Sequence, residues 1–163
     1  MFRSVELQLK KRNLKFIKME LLTPAFIELN LKVKNKVEAI SLLADKLDQR
    51  GCLVDKKKYL NDVLEREKLL TTYCGHHIAI PHAVSKAVKK VSFGFCRTAN
   101  LEWDKNDEAV QFILILALPL KIREEDNNHI DLMSQIASLA LEKEIREVWE
   151  TAKTKEDISK TFY

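Results

Sequence analysis

Apolar residues recur along this chain with two periods, near two and near three and a half, and each period predicts its own kind of element. After Thr23-Pro24, the residues Ile27, Leu29 and Leu31 alternate with others, which predicts a turn followed by an edge strand. Val37, Ile40, Leu43, Ala44 and Leu47 then follow at helical spacing. Asn35 stands at the N-cap position, Glu38 completes a variant capping box, and Gly51 closes the helix. Asp55 is the next N-cap. Tyr59, Leu60, Val63 and Leu64 make the apolar face of a second helix reaching about Lys68. Ile78-Ala79-Ile80 reads as a short strand between Gly75 and Pro81. Proline cannot donate to a ladder, so the strand is expected to end there and His82 to sit at its exit.

The second half continues the alternation of types. Ala83 to Lys89 reads as a short helix or loop. Val91, Phe93 and Phe95 alternate with Ser92 and Gly94, as a strand with one buried face does. Trp103 to Asp107 is a polar turn. Val110 to Leu118 is apolar except for Gln111, and at nine residues reads as the central buried strand, although periodicity alone leaves a buried helix open. Pro119 ends it. The charged stretch 121–128 is expected to be an exposed loop. A helix follows with His129, Leu132, Met133, Ile136, Leu139 and Ala140 on one face, then another over Glu144 to Lys153. Thr154 with Asp157 caps a last short helix ending near Phe162. Strands mixed with helices predict a single α/β domain, without internal repeats.

Charge divides the chain unevenly. Of the net +4, residues 1–19 contribute +5 and the remainder −1. This basic N-terminal extension is read as a solvated arm. Its other uses would be nucleic acid or anionic membrane, but it lacks the interleaved aromatics that stack bases, so no nucleic-acid partner is expected. Met19 offers an alternative start. No apolar run approaches the roughly 18 residues of a membrane span, and no secretory signal is evident. Three widely spaced cysteines, Cys52, Cys74 and Cys96, fit reduced thiols and a cytoplasmic location better than a disulfide framework.

The candidate chemistry is concentrated between Cys74 and Ala83, which hold three of the four histidines. Glu65-Arg66-Glu67, Thr71-Thr72-Tyr73-Cys74-Gly75 and Ile78-Ala79-Ile80-Pro81-His82 together resemble the active-site signature of the mannitol–fructose type enzyme IIA domains. These belong to the bacterial phosphoenolpyruvate-dependent sugar phosphotransferase system. The resemblance runs from about Leu21 to the C-terminus and assigns residues 20–163 to the domain. Cys74 stands where an aliphatic residue is usual, and His77 where a small one is common.

The resemblance implies a mixed β-sheet flanked by α-helices on both sides. It also implies that His82 carries a phosphoryl group on Nε2, accepted from the phosphocarrier protein HPr and passed to a cysteine of a IIB domain. A separate membrane permease is then served indirectly. Arg66, in the last turn of its helix, would by itself read as a cation at the helix C-terminus or an ion pair with Asp62. Within the signature it is the expected charge partner of the phosphoryl group, since its planar fork of donors matches phosphate oxygens. His129 is the expected second active-site histidine. Thr71 and Thr72 are candidate hydroxyl donors, although threonines in a turn commonly cap the backbone. Neither cofactor nor metal is expected.

Two other readings compete. Cys74, His76, His77 and His82 are all possible zinc ligands, but a strand between them would splay the set. Alternatively, the same domain could regulate other proteins through its phosphorylation state rather than serve sugar transport.

Overall fold

The computed structural model describes residues 23–120 and 128–162, with side chains to Leu120 and from Asp131 onward. Residues 1–19, with their basic arm, and the charged stretch 121–127 lie outside the described residues.

Strand β1 (Phe26–Leu31) leads into helices α1 (Lys36–Gln49) and α2 (Lys56–Leu69). Strands β2 (Ile78–Ala79), β3 (His82–Ser85), β4 (Ser92–Leu101) and β5 (Val110–Pro119) follow. Helices α3 (Asn128–Ala140), α4 (Lys143–Thr151) and α5 (Lys155–Ser159) and a 3₁₀ turn over Lys160–Phe162 complete the chain. The caps are those expected: the side chains of Asn35, Asp55 and Thr154 accept from the backbone N–H of Glu38, Lys58 and Asp157.

The sheet is mixed. Its order is β1-β4-β5-β2, and β3 pairs with β5 on the same side as β2. β1 lies parallel to β4, β4 antiparallel to β5, and β2 and β3 parallel to β5. The run Val110–Leu118 is therefore an interior strand, not a helix. Its alternate residues enter two different cores. Ile113, Ile115 and Ala117 pack with α1 and α2, whereas Phe112, Leu114, Leu116 and Leu118 pack with α3, α4 and α5. A strand buried on both faces has no polar side to show, which explains the unbroken apolar run. Full burial of each large side chain contributes about 1.5–3 kcal/mol.

Three expectations are corrected. Strand β2 ends at Ala79, before Pro81, as expected, but the Pro81 carbonyl still accepts from Leu116 N at 3.0 Å and the ladder to β5 resumes with His82 opposite Leu116. His82 is thus the first residue of β3 rather than a residue beyond a strand, and Ala83 to Ser85 are strand rather than helix or loop. Strand β4 is buried on both faces instead of one: Phe93 and Phe95 enter the core under α3–α5, while Gly94 faces the ring of Phe26 on β1. Val37 begins the apolar stripe of α1 but is exposed.

Two ties hold helices to the sheet at informative places. The buried Tyr59 hydroxyl on α2 donates to Leu116 O at 2.7 Å, at the sheet level of His82. Arg97 on β4 donates to Leu29 O and, through Nη1, to the carbonyls of Trp149, Glu150 and Ala152 at the end of α4. Those terminal carbonyls have no partner within their own helix.

Candidate active site

The backbone leading to His82 is set by a tight hairpin. Cys74 N donates to Ile78 O at 2.9 Å, Ile80 N to Thr72 O at 3.1 Å, and Ile78 N to Gly75 O at 3.0 Å. Gly75, His76 and His77 all have positive φ, at 90°, 52° and 63°. A turn with both central residues left-handed suits the twist of the strands it joins, but Asn and Gly usually occupy it. Here two histidines do, and each costs backbone strain. His77 is compensated by its surroundings. Its Nδ1 lies 2.8 Å from Ala109 O, and its own carbonyl accepts from Gln111 N and Phe112 N.

Beyond the turn, Ile80 precedes a proline and is therefore biased to extended backbone. Nδ1 of the His82 ring lies 2.8 Å from Ile80 O. A carbonyl only accepts, so Nδ1 of the neutral ring carries the proton and Nε2 keeps its lone pair. Among the described residues no hydrogen bond engages Nε2. The ring is half-buried and opens on a cleft that Lys58, Asp62, Arg66, Val84 and Lys86 also line.

Arg66 enters this cleft from the last turn of α2, and its Nη1 donates to Leu70 O at 3.0 Å. That contact anchors one arm of the guanidinium on the helix's own terminus and leaves the other donors of the fork for a ligand. Asp62, one turn earlier, pairs with Lys58 at 3.1 Å rather than with Arg66 and accepts from Ser85 Oγ at 2.6 Å. Partial burial acts to raise its carboxyl. The Ser85 hydrogen bond and the Lys58 ammonium together outweigh this and hold it below the usual carboxylate value.

The threonine hydroxyls meet a carboxylate. Thr72 Oγ1 donates to Glu67 Oε2 at 2.6 Å, and Thr72 N donates to Glu67 Oε1 at 2.9 Å. Thr71 Oγ1 makes a longer contact of 3.4 Å to the same residue. A hydroxyl has one proton to give, and that of Thr72 is engaged here. Glu67 is 5% exposed and also accepts from Trp103 Nε1 at 2.8 Å. Sequence reasoning quoted Glu67 without a role and placed Trp103 in a polar turn. The missed signal was spacing: Glu67 continues the Tyr59, Val63 row of α2 at four-residue steps, so the helix points a carboxylate where its neighbours bury.

His129 lies in the first turn of α3, and its side chain lies outside the described residues. Among the described residues, no three His, Cys, Asp or Glu side chains gather closely enough to hold a metal ion. No helix among them is long and apolar enough to cross a membrane.

The fold is that of solved enzyme IIA proteins. Nitrogen regulatory protein IIA-Ntr from Neisseria meningitidis superposes with a TM-score of 0.74 at 26% identity, covering 88% of this chain and 94% of that one. The mannitol IIA of Escherichia coli, in its complex with phosphorylated enzyme IIB, matches with a TM-score of 0.71 at 23% identity over 83% of this chain and 92% of that one. Residues 20–163 match the family described as phosphoenolpyruvate-dependent sugar phosphotransferase system, EIIA 2, and the chain belongs to that family. It is 32% identical over 142 residues to the mannitol-specific phosphotransferase enzyme IIA component of Geobacillus stearothermophilus, covering 86% of this chain and 93% of that protein. It is also 29% identical over 133 residues to the 2-O-alpha-mannosyl-D-glycerate-specific EIIABC component of Escherichia coli K12. That match covers 80% of this chain but only 20% of the relative's length.

Proposed function

We propose that this IIA domain is a phosphoryl carrier that accepts its group on Nε2 of His82. The observation that carries the reading is the Nδ1 contact with Ile80 O, which leaves Nε2 as the basic nitrogen at the mouth of an open cleft. In the forward step the N–P bond of a phosphohistidine on HPr breaks as the Nε2–P bond forms. The ring keeps its Nδ1 proton and becomes cationic, so the fixed Ile80 carbonyl interacts with it more strongly as transfer proceeds. Onward transfer breaks Nε2–P and forms S–P on a cysteine of a IIB domain. The membrane permease is reached only through that partner, and the exchange is placed in the cytoplasm.

Phosphoryl transfer depends mainly on positioning and charge stabilisation. Arg66 is assigned the charge partner's role, supported by its place in the same cleft. His129 is assigned the second histidine's role by resemblance. Thr71 and Thr72 support the site indirectly, by holding the loop against Glu67. Leu69, Leu70, Val84 and Leu120 are exposed. All but Leu70 line the cleft with His82, a suitable rim for brief contacts with two successive protein partners.

The test is intact-mass spectrometry after incubation with phosphoenolpyruvate, enzyme I and HPr. One acid-labile phosphate, absent from His82→Ala, is expected. Normal phosphate stoichiometry on the His82→Ala protein would overturn the assignment. A regulatory role is the second reading, favoured by the likeness to IIA-Ntr. Sugar uptake unchanged on deletion, with phosphorylation retained, would select it.

A further inference from the structure

We propose that Glu67 is a positioning residue that holds His82 in its reactive tautomer through a chain of hydrogen bonds. The chain is continuous. The Glu67 carboxylate accepts from both the hydroxyl and the backbone N–H of Thr72, at 2.6 and 2.9 Å. The Thr72 carbonyl accepts from Ile80 N at 3.1 Å. The Ile80 carbonyl lies 2.8 Å from His82 Nδ1. Thr72 and Ile80 each take part in two successive contacts, one through each of the peptides that flank their Cα.

The two contacts on Thr72 fix its orientation more firmly than either would alone. With Thr72 N and Oγ1 both held by Glu67, the position of its Cα and Cβ is set, and only rotation about ψ, itself opposed by the Ile80 N contact, could move its carbonyl. Ile80 has little freedom of its own, since Pro81 restricts its backbone. The far side of Pro81 is pinned as well, its carbonyl accepting from Leu116 N at 3.0 Å. The Ile80 carbonyl is therefore held from both directions while it receives Nδ1–H.

An ionised carboxylate suits the first position because it can only accept, and it offers enough lone pairs for every donor that meets it. Those donors are Thr72 N, Thr72 Oγ1, Trp103 Nε1 and the more distant Thr71 Oγ1. Lys36 Nζ, 3.7 Å from Oε1, supplies a countercharge. Burial of the acid behind Trp103 and Thr72 keeps water from competing for these contacts. Glu67 is also the immediate neighbour of Arg66 on α2. The helix turn that presents the charge partner is thus the one tied to the loop that orients the acceptor nitrogen.

The functional consequence rests on the reading of His82 as carrier, but the tautomer can be measured without any phosphoryl transfer. The experiment uses the full chain with ¹⁵N-labelled histidine, at a pH where the His82 ring is neutral. Two-bond proton–nitrogen correlation spectra then report which ring nitrogen holds the proton. The unmodified chain is expected to show one His82 tautomer, protonated on Nδ1. Glu67→Gln and Thr72→Val are expected to show both tautomers in exchange. Phosphorylation by phospho-HPr should slow by roughly tenfold, below the hundredfold that larger misplacement can cost.

Trp103→Phe removes a different donor from the same carboxylate and is the control. It should lower the melting temperature yet leave the His82 spectrum unchanged, as a merely structural role of Glu67 would not predict. A folded Glu67→Gln or Thr72→Val protein with a single Nδ1–H tautomer and an unchanged rate would overturn the proposal. So would a tautomer change in Trp103→Phe equal to that in the other two. If the tautomer responds as expected while the unmodified chain accepts no phosphate, the relay stands and the carrier reading falls.

Discussion

The carbonyl of Ile80 lies 2.8 Å from Nδ1 of His82, two residues on and across a proline. This contact decides which nitrogen of the ring is free, and it spans a proline on either side of which the pairing with β5 keeps the same register.

Arg66→Lys is expected to retain the positive charge and lose the fork. One nitrogen cannot both satisfy Leu70 O and grip phosphate oxygens bidentately. Charge-assisted hydrogen bonds contribute about 1.5–3 kcal/mol, so the rate of phosphorylation by phospho-HPr should fall by roughly tenfold to a hundredfold. The melting temperature should change little. Rapid-quench kinetics beside a thermal melt separate the two, and an unchanged rate would remove Arg66 from the site.

His76→Asn should stabilise the protein. His76 is exposed, sits at φ 52°, and among the described residues makes no side-chain hydrogen bond that would offset the strain. Asparagine tolerates the left-handed region better than most side chains. A gain of about 0.5 kcal/mol, or roughly 1–2 °C in melting temperature, is expected. The equivalent change at His77 should gain less, because it sacrifices the contact with Ala109 O. Calorimetry of both variants tests the ordering.

Gly94→Ala should destabilise the domain by about 1–3 kcal/mol. A methyl group there would occupy the space of the Phe26 ring on the neighbouring strand. Combining it with Phe26→Leu should recover part of the loss. Additive effects in a denaturation double-mutant cycle would show that the two side chains do not compete for this space.

Asp62 supplies a pH dependence. Its folded carboxyl lies below the unfolded value of 3.8, because the Ser85 hydrogen bond and Lys58 overcome partial desolvation. A group with a depressed folded value contributes stability that is fully present above the unfolded value and is lost as the pH falls through the folded one. Asp62→Asn should therefore lower stability at neutral pH and flatten the acid limb below about pH 4. The effect should be small, since the carboxylate is partly exposed and screened. Urea melts from pH 2 to 7 would show it, and parallel acid limbs would contradict it.

Much of this architecture could be read from residue order. Short-range physics sufficed for the caps at Asn35, Asp55 and Thr154, whose side chains bond to N–H groups three residues away. It sufficed also for β5, because nine nearly unbroken apolar residues have no solvent-facing solution. The signature around Arg66 and His82 was visible for the same reason: its parts lie within seventeen residues, Arg66 to His82.

What the tertiary structure alone decided are the relations between segments distant in sequence. Pro81 ends a strand by local rules. Only the partner strand, with Leu116 N donating to its carbonyl, lets the ladder resume and places His82 inside it. Glu67 is a surface charge by composition. Only the meeting of α2 with Thr72 and with Trp103, thirty-six residues away, makes it a buried and fully engaged acceptor. Propensity and periodicity act over one or two turns of chain. Hydrogen bonds between elements depend on which faces the hydrophobic core brings together, and that choice is made by the molecule as a whole.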